Sequence, residues 1–240
     1  MGIPKKDGTM QIVDDFQELN KWVVQKRYPL PHIQDIFHQH KHYQYMTLLD
    51  LTLCFYTYRL DEASSWLCIL VTPFGKFHHL CLPMGMMQSP DWAQVVLEEI
   101  FKDLLQDGVE CYIDDVGLFT NASEEHPWVH HLQHLPEVLS CLEENGFTIN
   151  PQKCKWAVQE AEWLGHWLTP DGIKPLHKKI QGMLAIAEPQ TLCQLWGFIG
   201  LVNFYQDFWK NRAHIMAPLT LLTKTNPKSF RHNWTATHFQ

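Results

Sequence analysis

The sequence predicts an α+β fold, an antiparallel sheet packed on helices and followed by an all-helical C-terminal part. Three observations lead there. Short runs rich in β-branched and aromatic residues, broken by turn signals, recur up to about Leu168. Between them, two longer stretches repeat apolar residues at helical spacing. From Pro175 onward the pattern is helical alone.

Taken in order, Lys5-Lys6-Asp7-Gly8-Thr9 reads as a hairpin turn, with Asp-Gly as its signal. Arg27-Tyr28-Pro29-Leu30-Pro31 is extended, because each Pro disfavours helix in the residue before it. Residues 46–51 and 55–60 read as strands, with Asp61-Glu62 as an acidic break. Residues 67–72 form another strand that turns at Pro73-Phe74-Gly75-Lys76 and returns over 77–80. Ser89-Pro90 opens a helix, Ser as N-cap and Pro as first helical residue. Trp92, Val95, Val96, Ile100 and Leu104 make its apolar stripe, and Gly108 stops it. A second helix covers about 125–145, with Val129, Leu132, Leu135, Leu139 and Leu142 inward, a kink at Pro136 and Gly146 at its end. Residues 147–149, 156–158 and 163–168 are short strands. Thr191-Leu192-Cys193-Gln194 has the form of a capping box opening a helix to about Phe208. Leu195, Phe198, Ile199, Val202 and Tyr205 form its core face.

The chain has 240 residues, 45% hydrophobic and 19% charged, which fits a globular protein with a real core and excludes a disordered one. Seven scattered Cys, an odd number without a CxxC pair, point to reduced thiols in an intracellular compartment, cytoplasmic or nuclear. No apolar run is long enough to span a bilayer, so no membrane partner is expected. A net charge of −7 argues mildly against a nucleic-acid partner, although a local groove outweighs the sum. The opening Met1-Gly2-Ile3-Pro4 reads as the middle of a domain, as a fragment would.

Tyr112-Ile113-Asp114-Asp115 carries the chemistry. Two apolar runs flank an acidic pair, as in a hairpin with carboxylates at its tip. Adjacent like charges repel, so a fold that clusters them near a third acid calls for a cation. That third acid is Asp50, inside the apolar run Met46-Thr47-Leu48-Leu49-Asp50-Leu51. Spacing alone leaves a solvated turn and a two-metal phosphoryl-transfer site about equally open. His126, His130 and His134 also repeat every four residues, a spacing that suits zinc. With Pro127 among them and no Cys or acid completing the set, they read as a solvated polar face.

Together these segments resemble the reverse transcriptase domain of gypsy-type long-terminal-repeat retrotransposons, over almost the whole chain. The likeness rests on Lys5 to Thr9, Asp15-Phe16-Gln17-Glu18-Leu19-Asn20-Lys21, Arg27 to Pro31, Leu49-Asp50-Leu51, Val71-Thr72-Pro73-Phe74-Gly75, Leu82-Pro83-Met84-Gly85, Ser89-Pro90 and the Tyr112 to Asp115 signature. Asn150-Pro151-Gln152-Lys153-Cys154, Trp163-Leu164-Gly165-His166 and Phe198 to Tyr205 continue it in the family's order.

The resemblance implies a right-hand polymerase: fingers and palm over 1–174, with fingers truncated at the N-terminus, a helical thumb over 175–226, and over 227–240 the start of a connection toward RNase H. It implies RNA-directed DNA polymerase activity on an RNA or DNA template with primer, using deoxynucleoside triphosphates and two Mg2+ ions, with Mn2+ as an alternative. RNase H, integrase and protease would be companion domains of a polyprotein. Asp50, Asp114 and Asp115 would hold the metals, with Lys153 near the pyrophosphate. Lys5, Lys6, Gly85, Ser89, Pro90 and Tyr112 would meet the nucleotide, Phe55 would exclude a ribose 2′-hydroxyl, and Trp163, Leu164 and Gly165 would grip the primer. Against the family's pattern, Gln11 stands where an Arg usually grips the triphosphate, and a neutral amide cannot replace a guanidinium on phosphate. Gln17 and Cys54-Phe55-Tyr56-Thr57 also depart from it. The alternative is therefore a decayed remnant that binds nucleic acid or a partner without catalysis.

Overall fold

The computed structural model describes residues 2–4, 10–12 and 14–224. Strands β1 (Gly2–Pro4) and β2 (Met10–Ile12) pair antiparallel, with Gly2 opposite Ile12 and Ile3 opposite Gln11. The turn expected at Lys5 to Thr9 lies outside the described residues, as do 227–240. Two short helices follow, α1 (Gln17–Asn20) and α2 (Ile33–Gln39). The chain divides into two compact units, Met1–Ala161 with Thr169–Gly172, and Glu162–Leu168 with Ile173–Gln240.

The first unit is organised around β3 (Tyr43–Thr52). Residues 46–49 are buried on both faces, which explains why this stretch does not alternate with exposed polar residues, Thr47 being its one polar member. Beyond β3 the sequence reading fails locally. Residues 55–60, expected as a strand, begin as a 3-10 turn (Cys54–Thr57) because Leu53 is left-handed at φ +53° and turns the chain out of the sheet. Asp61, taken for a break, is the N-cap of α3 (Glu62–Leu67): its carboxylate accepts from the Ser64 N–H at 3.0 Å. Of the next strands, β4 (Ile69–Thr72) begins two residues later than expected and β5 (Gly75–His78) lies two residues earlier, and the two form an antiparallel sheet.

Helix α4 (Ser89–Ile100) is rotated by about one residue from its predicted setting. Gln88, not Ser89, occupies the N-cap position; the Ser89 hydroxyl is buried and donates to the Pro83 carbonyl at 2.8 Å. Ser89, Ala93, Gln94 and Leu97 face inward, Phe101 continues the stripe beyond the helix, and Trp92 is 55% exposed. Gly108, at φ +88°, leads into β6 (Val109–Tyr112), which hairpins to β7 (Asp115–Asn121). A Cβ on Gly108 would meet the Phe119 carbonyl oxygen at 2.2 Å, so only Gly lets these two backbones approach.

Helix α5 (Pro127–Glu144) runs without interruption through Pro136. His131, Val138 and Leu142 are its buried residues, Leu135 and Leu139 pack at the edge of the core, and the expected Val129 and Leu132 are exposed. The stripe departs from the expected one only in its first half, where a His rather than Val129 or Leu132 enters the sheet face. His131 Nε2 lies 2.8 Å from Thr47 Oγ1, and its Nδ1 lies 2.8 Å from Thr120 Oγ1. A neutral imidazole, one donor and one acceptor, satisfies both hydroxyls. Strands β8 (Thr148–Ile149) and β9 (Lys155–Val158) both pair with β3, completing a sheet of order β6-β7-β3 with β8 and β9 on the far edge. One face of that sheet carries the main core, where Leu49, Leu51, Val116 and Leu118 meet Leu97, Phe101, Val138 and Leu142. Burying such side chains contributes roughly 1.5–3 kcal/mol each.

Residues 163–168, expected as one strand, are two. Strands β10 (Ala161–Trp163) and β11 (His166–Thr169) flank a turn at Leu164 (φ +46°) and Gly165 (φ +77°), and β12 (Gly172–Pro175) completes a three-stranded sheet. In the second unit, α6 (His177–Leu184), α7 (Leu192–Phe204) and α8 (Arg212–Leu222) follow. The capping box of α7 forms as read: Thr191 Oγ1 accepts from the Gln194 N–H, and Gln194 Oε1 accepts from the Thr191 N–H. Helix α7 stops at Phe204 and a 3-10 turn covers Gln206–Phe208. Leu195, Ile199 and Val202 bury against Met216 and Leu222 of α8. No helix among the described residues is long and apolar enough to cross a membrane.

His131 gives the fold a pH dependence. Burial, then the neighbouring His130 and His134 charges, lowers its pKa to about 4, from the usual 6.5. Above pH 6.5 the ring is neutral in both states and nothing is lost. As pH falls from 6.5 toward 4, the unfolded chain takes up a proton that the folded one refuses, and stability drops by up to about 3 kcal/mol. Urea midpoints at pH 7, 6 and 5 should therefore fall, and the slope should flatten in His131→Gln; an equal slope in both proteins would exclude this origin.

Candidate active site

The site begins with register. Antiparallel pairing sets Asp50 of β3 directly opposite Asp115 of β7, so both carboxylates project from the same sheet face. Alternation then puts Leu49, Leu51 and Val116 on the opposite face, where they enter the core. Asp114 sits between β6 and β7, in a two-residue turn with Ile113 that is closed by the Tyr112–Asp115 pair. The Asp114 carbonyl accepts from the Leu51 N–H at 3.3 Å, which ties the turn back to β3.

Like charges opposite each other are destabilising in a sheet. Burial, and then the Asp114 and Asp50 charges, pushes the Asp115 pKa up to about 6, with Lys153 pulling the other way. Asp114 is raised too, first by burial and further by the Asp50 charge, against its own backbone hydrogen bond and Lys153. The acids therefore favour positive charge among them. Lys153 supplies part of it, its ammonium lying 3.1 Å and 3.4 Å from the two Asp50 oxygens.

Among the described residues, no group of three or more His, Cys, Asp or Glu side chains is arranged to hold a metal ion. Hard oxygen donors on rigid strands nevertheless fit Mg2+, which is usually held by one or two carboxylates and completed by water and substrate phosphates. The imidazoles of α5 do not form a competing centre. His130 and His134 stack at 4.2 Å, and His134 lies 3.5 Å from Glu137.

The turn is held in an uncommon conformation by a residue that the sequence reading assigned no role. Ile113 has φ +58°, which for a β-branched residue costs on the order of 1–3 kcal/mol and persists only where neighbours enforce it. Gln94 of α4, fully buried, does so. Its Oε1 accepts from the Ile113 N–H at 2.8 Å, and its Nε2 donates to the Cys111 carbonyl at 2.8 Å and to Glu98 at 2.7 Å. Glu98 in turn accepts from the Tyr28 hydroxyl at 2.5 Å, so the extended 27–31 segment is bonded into the same chain. A polar residue one position from the expected apolar stripe was the available signal. The Cys54 thiol, whose pKa burial raises to about 11, reaches the Ile113 carbonyl at 3.9 Å.

The other predicted residues fall as follows. Phe55 is half-buried on the 3-10 turn that follows β3, and Tyr112 is half-buried beside the acids. Gly85, at φ +99°, lies in the loop before α4, where an added Cβ would be 3.3 Å from the Asp14 carbonyl oxygen. Asn20 pins that loop by donating to the Gly85 carbonyl and accepting from the Met87 N–H. Ser89 and Pro90 open α4, with the Ser89 hydroxyl already engaged by Pro83. Trp163, Leu164 and Gly165 belong to the second unit, with Trp163 buried. Lys5 and Lys6 lie outside the described residues, and for Gln11 only the backbone pairing in β2 is described.

Gln94 has a measurable role. Replacing it with Met keeps volume but leaves the Ile113 N–H and the Cys111 carbonyl without these partners. Gln94→Met should lower unfolding free energy by about 1–3 kcal/mol, read from urea denaturation. A loss below about 0.5 kcal/mol, the scale of an ordinary surface change, would mean the turn holds itself.

Residues 3–168 match the family described as "Reverse transcriptase (RNA-dependent DNA polymerase)". The Transposon Tf2-3 polyprotein of Schizosaccharomyces pombe is 28% identical over 240 residues, covering 100% of this chain and 17% of that protein. The retrovirus-related Pol polyprotein from transposon 297 of Drosophila melanogaster is 29% identical over 231 residues, covering 94% of this chain and 21% of that protein. Among solved structures, a foamy viral protease-reverse transcriptase in complex with double-stranded DNA superposes with a TM-score of 0.83 at 25% identity, over 94% of this chain and 38% of that one. The foamy viral protease-reverse transcriptase in complex with an RNA/DNA hybrid gives 0.77 at 25%, over 99% and 31%. The chain thus spans about a fifth or less of the length of these polyproteins.

Proposed function

From the premise that this chain belongs to the reverse transcriptase (RNA-dependent DNA polymerase) family, we propose that it is a retroelement polymerase domain that extends a primer 3′-hydroxyl with deoxynucleotides on an RNA or DNA template. The observation that carries the reading is the pairing of Asp50 with Asp115 beside Asp114, at the open end of an otherwise apolar sheet. In this reading residues 1–174 supply fingers and palm and 175–226 the thumb. Protease, RNase H and integrase would be its companions in a longer polyprotein.

The family generally works with divalent metals, and here Asp50, Asp114 and Asp115 would hold Mg2+ or Mn2+. Bound there, the ions would lower the pKa of the primer hydroxyl and neutralise charge on the triphosphate and leaving pyrophosphate. The chain's own residues then do the positioning. Asp50 and Asp115 stand on strands whose pairing fixes the spacing of their carboxylates, and Gln94 holds the turn that carries Asp114. Lys153 offers a cation to phosphate oxygens. Phe55, displayed by the 3-10 turn just after β3, would occupy the volume that a ribose 2′-hydroxyl needs. The resulting specificity is for deoxynucleotides. Gly85 and the opening of α4 would receive the nucleotide and the template, and Trp163 to Gly165 the primer end. The intact acidic trio favours a working polymerase over a catalytically silent remnant.

Extension of a DNA primer on an RNA template with Mg2+ tests this directly. Asp114→Asn should abolish extension, and Phe55→Val should admit ribonucleotides while deoxynucleotide incorporation continues. Gln11→Arg should lower the nucleotide KM, because charge-assisted bonds to phosphate contribute roughly 1.5–3 kcal/mol each. Extension that survives in Asp114→Asn would refute the site, and unchanged sugar selectivity would reduce Phe55 to packing.

A further inference from the structure

Lys153 is held against Asp50 by the backbone as well as by charge. The Asn150 N–H donates to the Asp50 carbonyl at 3.0 Å, and the Lys153 and Cys154 N–H groups return to the Asn150 carbonyl at 3.0 Å and 3.1 Å. Asn150 Oδ1 accepts from the Gln152 N–H at 3.1 Å, which tightens the same turn. Cys154 is buried in the core, and β9 then runs along β3. The residue whose backbone anchors the turn is therefore the residue whose carboxylate the Lys153 ammonium contacts, at 3.1 Å and 3.4 Å.

A divalent cation held through Asp50 would take at least one of those two oxygens. A cation arriving alone must displace the ammonium and return it to water. A cation arriving with a triphosphate brings anionic oxygens that can accept the released ammonium. We propose that Lys153 is a built-in counter-ion of Asp50, which keeps the divalent cation weakly held until a nucleoside triphosphate enters. Metal loading and nucleotide binding then reinforce each other, by the same factor in either direction. The proposal rests on the metal-binding reading of the acidic site.

The test is Mn2+ affinity of the intact chain, followed by electron paramagnetic resonance without nucleotide. Lys153 is 64% exposed, so the pair is partly screened and removing it should tighten Mn2+ binding modestly, by about fivefold in Lys153→Gln. Lys153→Arg keeps the counter-ion and should match the unmodified chain. Lys155→Gln removes the same charge from an exposed neighbour on β9 and should change affinity less than about twofold. Adding a non-hydrolysable deoxynucleoside triphosphate, corrected for its own Mn2+ binding, should raise affinity more in the unmodified chain than in Lys153→Gln. If Lys153→Gln leaves Mn2+ affinity unchanged or merely equals Lys155→Gln, while Asp114→Asn abolishes binding, the counter-ion role is wrong and the metal site stands. If the unmodified chain binds no Mn2+, or Asp114→Asn binds it equally well, the metal reading falls and the counter-ion role with it.

Discussion

The antiparallel register of β3 and β7 is the constraint on which the rest of this structure depends. Seven pairs run from Tyr43 opposite Asn121 to Asp50 opposite Asp115, and the period of two decides what each face carries. A slip of β3 by one residue against β7 would send Asp50 toward the apolar core and Leu49 to the open face, and separate the two carboxylates. Burial of Leu49, Leu51, Val116 and Leu118 against α4 and α5 therefore fixes the position of the acids as firmly as it fixes the fold. Stability and chemistry share one set of contacts.

The functional end of the sheet is the least comfortable part of it. Two carboxylates face each other across the strands, a third lies next to them, and Ile113 is held at positive φ. These features are compensated locally. Gln94 satisfies the turn from α4, Leu51 ties it to β3, and Lys153 brings a positive charge from the turn before β9. Burial and the Asp114 and Asp50 charges together raise the pKa of Asp115, and groups perturbed in this way cluster at sites of function.

Much of this was legible in the sequence, and the failures are instructive. The acidic hairpin, β3 and the capping box of α7 were readable because each has a local signature: alternation or a turn pair, an apolar run, and Thr191 three residues before Gln194. The inward faces of α4 and α5 were read only in part: Leu135, Leu139 and Leu142 do pack on the core, but two of the buried positions are polar. Gln94 and His131 enter the core to satisfy the Ile113 turn and two Thr hydroxyls, partners distant in sequence that no periodicity reveals. The strand expected over 55–60 failed for a backbone reason, the left-handed Leu53, which β-propensity does not register. Lys153 was placed near the nucleotide by resemblance. Its pairing with Asp50 came only from the fold.

Metal-directed cleavage offers the most direct test of the central claim, that Asp50, Asp114 and Asp115 form one cation site. Fe2+ bound in place of Mg2+, with ascorbate and peroxide, cuts backbone within a short radius of the ion. Cuts should fall near Asp50 and near 113–115, two segments about sixty residues apart in sequence, and should fade with excess Mg2+ and in Asp114→Asn. Cuts confined to one of the two segments, or centred instead on His130 and His134, would contradict the account.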